Sequence, residues 1–422
     1  MNWRAGQSLA FSPLPVLRER DRVRVFSANA AQSPHPNPLP AYRERGKYQR
    51  RRGVIFVTAL GIIVVLSGLV LVFAQDMRTE GMRSANQVGY LQADAIELGA
   101  EQWLLANCEA YQGDALTITQ TPAAAQQVGS GYFWVLTPNL TDYTQYQYGI
   151  TDESSKLNIN TVTSDELLSL PTNLPQNVAD AIVDWHSSAG KASSDGAESP
   201  YYESLPEPYE CKNGNYESVE EMLLVDGVTP QLLFGYDLNR DGVISQAEQN
   251  AESSGGTINT GQDPRGLFNF VTVYSQQPAA RGRNGTGLVN INTASEAVLM
   301  SLPGMTQSYA DDIISQRQSE DQPTTTWISN VIPTTEARAL TPYITATSDQ
   351  YSADIVAVSG DGRSFKRVRV VLDCQQVPAK ILYRKDMTSL GWPLPPDLRD
   401  ALRHGQPIPA DAASNNAPSS GT

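Results

Sequence analysis

The sequence predicts an α+β protein in which a long N-terminal helix packs on an antiparallel sheet and a large helical domain is inserted into that sheet. Three observations predict it. Residues 54–74 form a run of 21 positions with no charge. Strand-like alternation, rich in aromatic and β-branched side chains, occurs at two separated places, residues 130–150 and 350–373. Between them, over residues 152–345, the apolar pattern turns helical. The chain, 422 residues long, accommodates two domains at about 150 residues each.

The elements follow in order. Residues 1–46 are rich in Pro and Arg and lack periodicity; they resemble a translated intergenic repeat, so the reading frame is expected to start further downstream. The alternative is a disordered cytoplasmic tail. Residues 1–53 together are read as a cytoplasmic leader. Arg50, Arg51 and Arg52 precede the apolar run. At about 1.5 Å per residue the run can cross a hydrocarbon core of about 30 Å. Basic residues on its N-terminal side place that side in the cytoplasm and the body outside it, which predicts a single-pass membrane protein. A cleaved secretory signal would have a shorter core and a small-residue cleavage site after it.

Nothing breaks the helix after Ala74. Val88, Leu91, Ala95, Leu98 and Leu105 recur at helical spacing, predicting one helix over about residues 54–108. Its membrane half is residues 54–74. Its second half opens the segment 75–151, which also carries the first strands. Val88, Leu91, Ala95 and Leu98 are expected to meet assembly partners, with some of that stripe facing the protein's own sheet. Residues 152–345 are the inserted helical domain. Residues 346–392 carry the closing strands: a hairpin turning at Gly360-Asp361-Gly362, and one more strand from Lys380 to Tyr383. Residues 393–422 are expected to be a disordered tail.

Charge and chemistry narrow the function. The chain has 31 Lys and Arg against 45 Asp and Glu; residues 1–53 hold 11 and 3 of these, leaving 20 against 42, a net −22, for residues 54–422. So acidic a body disfavours phosphate contact, and no nucleic-acid partner is expected. Cys108, Cys211 and Cys374 lack zinc-type spacing. They are three buried thiols, or one disulfide and one thiol, and the sequence does not choose the pair. His35, His186 and His404 suggest no catalytic grouping, and no enzyme is expected.

Two segments of the insert repeat each other. Residues 156–185 read KLNINTVTSDELLSLPTNLPQNVADAIVDW and residues 288–317 read LVNINTASEAVLMSLPGMTQSYADDIISQR. Each gives N-I-N-T, a short helix, Leu-Pro, a turn and a second helix: a helix–hairpin–helix. Thr161 or Thr293 can cap the helix that follows it, and Leu-Pro ends that helix. Such hairpins often bind DNA through a Gly-rich turn. Pro303-Gly304 keeps half of such a turn, whereas Pro171-Thr172-Asn173 has lost the glycine. A packing role is the favoured reading. A membrane-anchored DNA receptor of the competence type is the alternative.

Residues 237–248 read DLNRDGVISQAE. Asp237, Asn239, Asp241, Val243, Ser245 and Glu248 fall at the ligand positions of an EF-hand loop, with Gly242 at the sharp turn. Val243 would offer its carbonyl and Glu248 two oxygens, a large all-oxygen set that suits Ca²⁺ better than Mg²⁺. A second acidic patch, Asp184, Asp195 and Glu198, is a weaker metal candidate.

The stretch RRRGVIFVTAL resembles a type IV prepilin leader, with basic residues, then Gly53, then an unbroken apolar helix. The resemblance implies cleavage by prepilin peptidase between Gly53 and Val54, and methylation of the new terminus. Thr58 stands where most pilins carry Glu at the fifth position after the cut. Lack of that Glu characterises the K-type minor pseudopilin. The order of prepilin helix, strands, N-I-N-T hairpin, Asp184-Trp185 with an acidic loop, Ser218-Val219-Glu220-Glu221-Met222-Leu223-Leu224-Val225, second hairpin and closing strands is similar to minor pseudopilin K of type II secretion systems, over about residues 47–392. The resemblance implies a pilin-like fold and a place at the pseudopilus tip with minor pseudopilins I and J. There the protein would initiate assembly and help to export folded proteins across the outer membrane. It also implies as many as two bound calcium ions.

Overall fold

The computed structural model describes residues 52–187, 193–253, 263–275, 287–317 and 324–413. The leader up to residue 51, with the repeat-like residues 1–46, lies outside the described residues. Two compact units divide the chain, Met1–Leu71 and Val72–Thr422. Helix α1, Arg52–Ala110, runs through 59 residues and contributes to both.

In the first unit, α1 exposes every apolar side chain from Val54 to Leu71. It is the one helix among the described residues that is long and apolar enough to cross a membrane. Thr58 needs no partner there: its hydroxyl donates to Ile55 O at 3.0 Å.

The second unit is built on a seven-stranded antiparallel sheet. After α1 and a short α2 (Ala115–Gln120) come β1 (Gln126–Val128), β2 (Gly131–Thr137), β3 (Gln147–Tyr148) and β4 (Thr151–Asp152). The chain leaves for the insert and returns as β9 (Gln350–Val358), β10 (Phe365–Asp373) and β11 (Lys380–Asp386). The order is β1-β2-β9-β10-β11, with β3 beside β2 and β4 beside β9. Trp134 pairs with Val356, and Val356 with Arg367. The β9–β10 hairpin turns where expected: Gly362 adopts φ +63° and Ser359 Oγ donates to Asp361 Oδ1 at 2.7 Å.

Alternation splits this sheet into two faces. One receives the second half of α1, through Ala93, Ile96, Ala100, Leu104 and Cys108, with Trp103 edge-on to Phe133 at 5.5 Å. A Cys108–Cys374 disulfide ties the end of α1 to the residue after β10, and Cys211 is a buried free thiol. The sequence had left that pair open.

The helical region between β4 and β9 has its own core, around Leu167, Ile182, Trp185, Tyr202, Met222, Leu233, Leu299 and Ile313. Its first hairpin is β5 (Leu157–Asn158), α3 (Ser164–Leu168) and α4 (Gln176–His186). Further along are α5 (Ser199–Tyr202), α6 (Pro230–Phe234), α7 (Gln246–Ser253) and β6 (Val271–Thr272). The second hairpin is β7 (Val289–Asn290), α8 (Glu296–Met300) and α9 (Gln307–Arg317), followed by α10 (Ile328–Val331), α11 (Thr334–Leu340) and β8 (Ile344–Thr345). Each N-I-N-T starts with a two-residue strand in a parallel pair, β5 with β6 and β7 with β8. Each first Asn accepts from the N–H two residues on, Asn158 from Asn160 at 2.9 Å and Asn290 from Asn292 at 3.1 Å.

The architecture is therefore the α+β arrangement expected, with three corrections. The helix caps are Thr163, in a capping box with Glu166, and Ser295, not Thr161 and Thr293. Those threonines turn elsewhere: Thr161 Oγ1 donates to Asn158 O at 3.3 Å and Thr293 Oγ1 to Asp152 Oδ2 at 2.5 Å. Val88, Leu91, Ala95 and Leu98 are all exposed, so none of them faces the sheet. The buried row is offset, on Ala93, Ile96, Glu97, Ala100 and Glu101.

The third correction concerns the expected disordered tail, residues 393–422. Residues 396–413 instead form α12 (Pro396–Arg403) and α13 (Ala410–Ala413). Leu398, Ala401, Leu402 and Ala412 are buried, and Trp134 Nε1 donates to Ala412 O at 2.8 Å. A few large apolar residues at helical spacing anchor a segment whose overall composition is polar. Residues 414–422 lie outside the described residues.

Candidate metal loop and assembly face

The loop 237–248 starts just after α6 and ends inside α7. Gly242, at its sharp turn, adopts φ +86°, and a Cβ there would come within 3.0 Å of Pro138 Cα, so glycine is required by both conformation and space. Asp237 binds the loop's own backbone: Oδ1 accepts from Asp241 N at 3.1 Å and Oδ2 from Gly242 N at 2.8 Å. Asn239 Oδ1 accepts from Asp241 N and Asp241 Oδ1 from Val243 N, at 2.9 and 2.8 Å. Glu248 folds back, with Oε1 taking Leu238 N at 2.9 Å and Oε2 taking the N–H and hydroxyl of Ser245 at 2.9 and 2.8 Å. Ile244 N donates out of the loop to Tyr143 O at 2.7 Å.

Asp237, Asp241 and Glu248 are all buried. Burial pushes the Asp237 carboxyl up to about 6, with the charge of Glu248 adding to it. Burial pushes Asp241 up to about 8, with the charge of Asp237 adding to it. Arg367 and Arg369 share Asp354, so they leave about one net positive charge to face three carboxylates. Arg240 turns onto the ring of Phe234, 3.6 Å from its centroid, and towards Glu220. A divalent cation would close this deficit, and the oxygen-only donor set fits Ca²⁺. Among the described residues, no three His, Cys, Asp or Glu side chains already converge as a metal cage. The carboxylates here accept from the loop's own N–H groups.

In the second acidic patch, Asp184 is buried and accepts from Ser193 N and Oγ at 2.9 and 2.8 Å. Glu198 is buried and its Oε1 has no hydrogen-bond partner, whereas Asp195 is exposed. Burial, and then the charges of Glu198 and Asp184, push up the Cys211 thiol nearby. Asp184 and Glu198 both act on Cys211, and Asp195 stays at the surface.

The assembly candidates form an open face. Val88, Leu91 and Leu98 are 52, 58 and 49% exposed, and Ala95 lies on the same side of α1. The opposite side is the row that the sheet covers.

Residues 156–234 match a family model described as type II secretion system (T2SS), protein K. This part of the helical region is therefore similar to the protein K domain of type II secretion systems. The resemblance to minor pseudopilin K is borne out by that match, which starts at Lys156, in the first N-I-N-T hairpin, and ends at Phe234. Residues 285–322 match the helix-hairpin-helix motif, which covers the second hairpin. Among solved structures, a chain in the crystal structure of the GspK-GspI-GspJ complex from the enterotoxigenic Escherichia coli type 2 secretion system is similar. It has 13% sequence identity and a TM-score of 0.44, covering 73% of this chain and 99% of that one. Curated protein sequences give no match.

Several residues of the site were not singled out from the sequence: Arg265, Arg367 and Asp354 around the loop, and Glu97, Glu101 and Arg384 beneath α1. For Asp354 and Arg367 the available signal was charge at an inward position of strands rich in Val, Ile and Leu, as in FKRVRVVLD.

Proposed function

We propose that this chain is a minor pseudopilin at the tip of a type II secretion pseudopilus, where it initiates assembly with minor pseudopilins I and J and helps folded proteins leave across the outer membrane. It acts by assembly and not by a catalytic step. The observation that carries the proposal is a protein K domain inserted in a sheet that packs on α1, behind an uncharged membrane-length run. In this reading prepilin peptidase cuts after Gly53 on the cytoplasmic side, the helix stays in the inner membrane, and the body lies in the periplasm. The insert is far bulkier than a loop and would clash with a subunit stacked above it. Thr58 offers no carboxylate to another subunit's amine. Both favour an end of the fibre over its shaft. Immunogold labelling of pseudopili tests this: label at one end is expected, and label along the shaft would contradict it.

The same reading includes Ca²⁺ at Asp237, Asn239, Asp241, Val243, Ser245 and Glu248, as a structural ion. Asp184, Asp195 and Glu198 are the candidates for a second ion, supported by the unpartnered Oε1 of Glu198.

The helix-hairpin-helix match favours a second reading, nucleic-acid binding. Against it stand the net −22 of residues 54–422 and the absence of glycine at Thr172. Binding of duplex DNA by the full chain in a gel shift at physiological salt would favour that second reading over assembly.

A further inference from the structure

Arg367 lies within β10 with its side chain fully buried. Its Nε and Nη2 hold Asp354 Oδ1 and Oδ2 on the neighbouring strand at 3.0 and 2.6 Å. Its other donations leave the sheet: Nη1 to Asn239 O at 2.5 Å and Nη2 to Arg240 O at 2.6 Å. From the insert, Arg265 is equally buried and is fixed on Asp263 by Nε and Nη2 at 2.9 and 2.7 Å. Its Nη1 reaches Gly242 O at 3.1 Å and Asn139 O at 2.6 Å.

Two carboxylate-anchored guanidinium groups thus hold the peptide oxygens at the third, fourth and sixth positions of the loop. In a twelve-residue calcium loop those backbone oxygens are not ligands; the seventh is. The arginines therefore grip the loop through carbonyls that an ion does not use, and neither guanidinium takes a candidate ligand oxygen. A planar, always-charged fork suits this task, because it satisfies a carboxylate and carbonyls at fixed angles. Opening the loop would strip partners from two buried charges, which is costly. Arg367 belongs to the sheet and the loop belongs to the insert, so the two regions meet at this contact.

We propose that Arg367 and Arg265 are positioning residues for a divalent cation, and that binding of the cation is linked through Arg367 to docking of the inserted region on the sheet. This rests on the calcium reading of the loop. The linkage is reciprocal: the ion strengthens docking by the factor by which docking strengthens ion binding.

The test uses the full chain in detergent with Ca²⁺ alone as the probe. Calcium should slow amide hydrogen exchange in residues 237–248, and also in residues 352–358 and 365–369, which hold no ligand. Arg367→Lys keeps the charge and loses the fork; it should weaken calcium binding by roughly 10–100-fold, the usual range for groups that orient a metal's ligands. Arg265→Lys should act in the same direction and serves if the first variant does not fold. Calcium binding that protects only the loop, with unchanged affinity in both lysine variants, would overturn the linkage and leave the calcium site standing. No calcium binding by the wild-type chain would overturn both.

Discussion

Arg384, on the outer strand β11, straddles two carboxylates of α1: its Nη2 lies 3.0 and 2.8 Å from the two oxygens of Glu97, and its Nε donates to Glu101 at 2.6 Å. Glu97 is completely buried. Burial, and then the hydrogen bond and charge of Glu101, raise its carboxyl from 4.5 to about 8, with Arg384 acting in the opposite direction. Across that window the folded chain keeps a proton that the unfolded chain has released. Stability therefore falls as pH rises from about 4.5 to about 8. Thermal unfolding should show Tm declining over that range, and Glu97→Gln should make the decline shallower, leaving the share that Asp237 and Asp241 contribute in the same direction. A variant with the wild-type slope would show that another group governs it.

Processing gives a second prediction. Gly53 sits at the start of α1 with nothing within 4 Å of a Cβ placed there. Intact mass of the protein extracted from its native membrane should correspond to a chain beginning at Val54, with or without one methyl group. A terminus upstream of Arg50 would remove the prepilin assignment.

Calcium should raise the Tm of the full chain, because an ion held only by the folded state stabilises it by mass action. At a hundredfold excess over Kd the gain is about 2.7 kcal/mol. Asp237→Ala removes a ligand and should abolish the difference between melts in calcium and in chelator. Identical wild-type melts in the two conditions would rule out a stabilising ion.

Leu91→Glu separates assembly from folding. Leu91 is 58% exposed and away from the sheet, so folding should change by less than about 0.5 kcal/mol, as for most surface substitutions. Pseudopilus initiation should nevertheless fail, because a carboxylate would be buried against a partner helix. Normal secretion by this variant would place the assembly surface elsewhere.

What was legible in the sequence was local. The apolar run, the β9–β10 hairpin and the N-I-N-T repeats depend on neighbours a few positions apart, and each appears where expected. The caps were misplaced by two residues because Thr161 and Thr163 both precede α3, and only the backbone decides which hydroxyl meets an N–H. The tail was misjudged because Leu398 and Leu402 find their cover far away in the chain. The loop's sharp turn at Gly242 could be read, but not the grip on it: Arg367 and Asn239 are 128 positions apart. The helical stripe on α1 was correctly seen as apolar, yet periodicity alone could not say which of two opposite faces meets the sheet.

The most direct test of the central claim is capture of the full-length chain from its native membrane, followed by counting the partners. A minor pseudopilin of the K type should bring down pseudopilins I and J, one copy of each per chain, and Leu91→Glu should lose them. Recovery of the chain alone, or with the major fibre subunit in large excess and neither I nor J, would contradict the account.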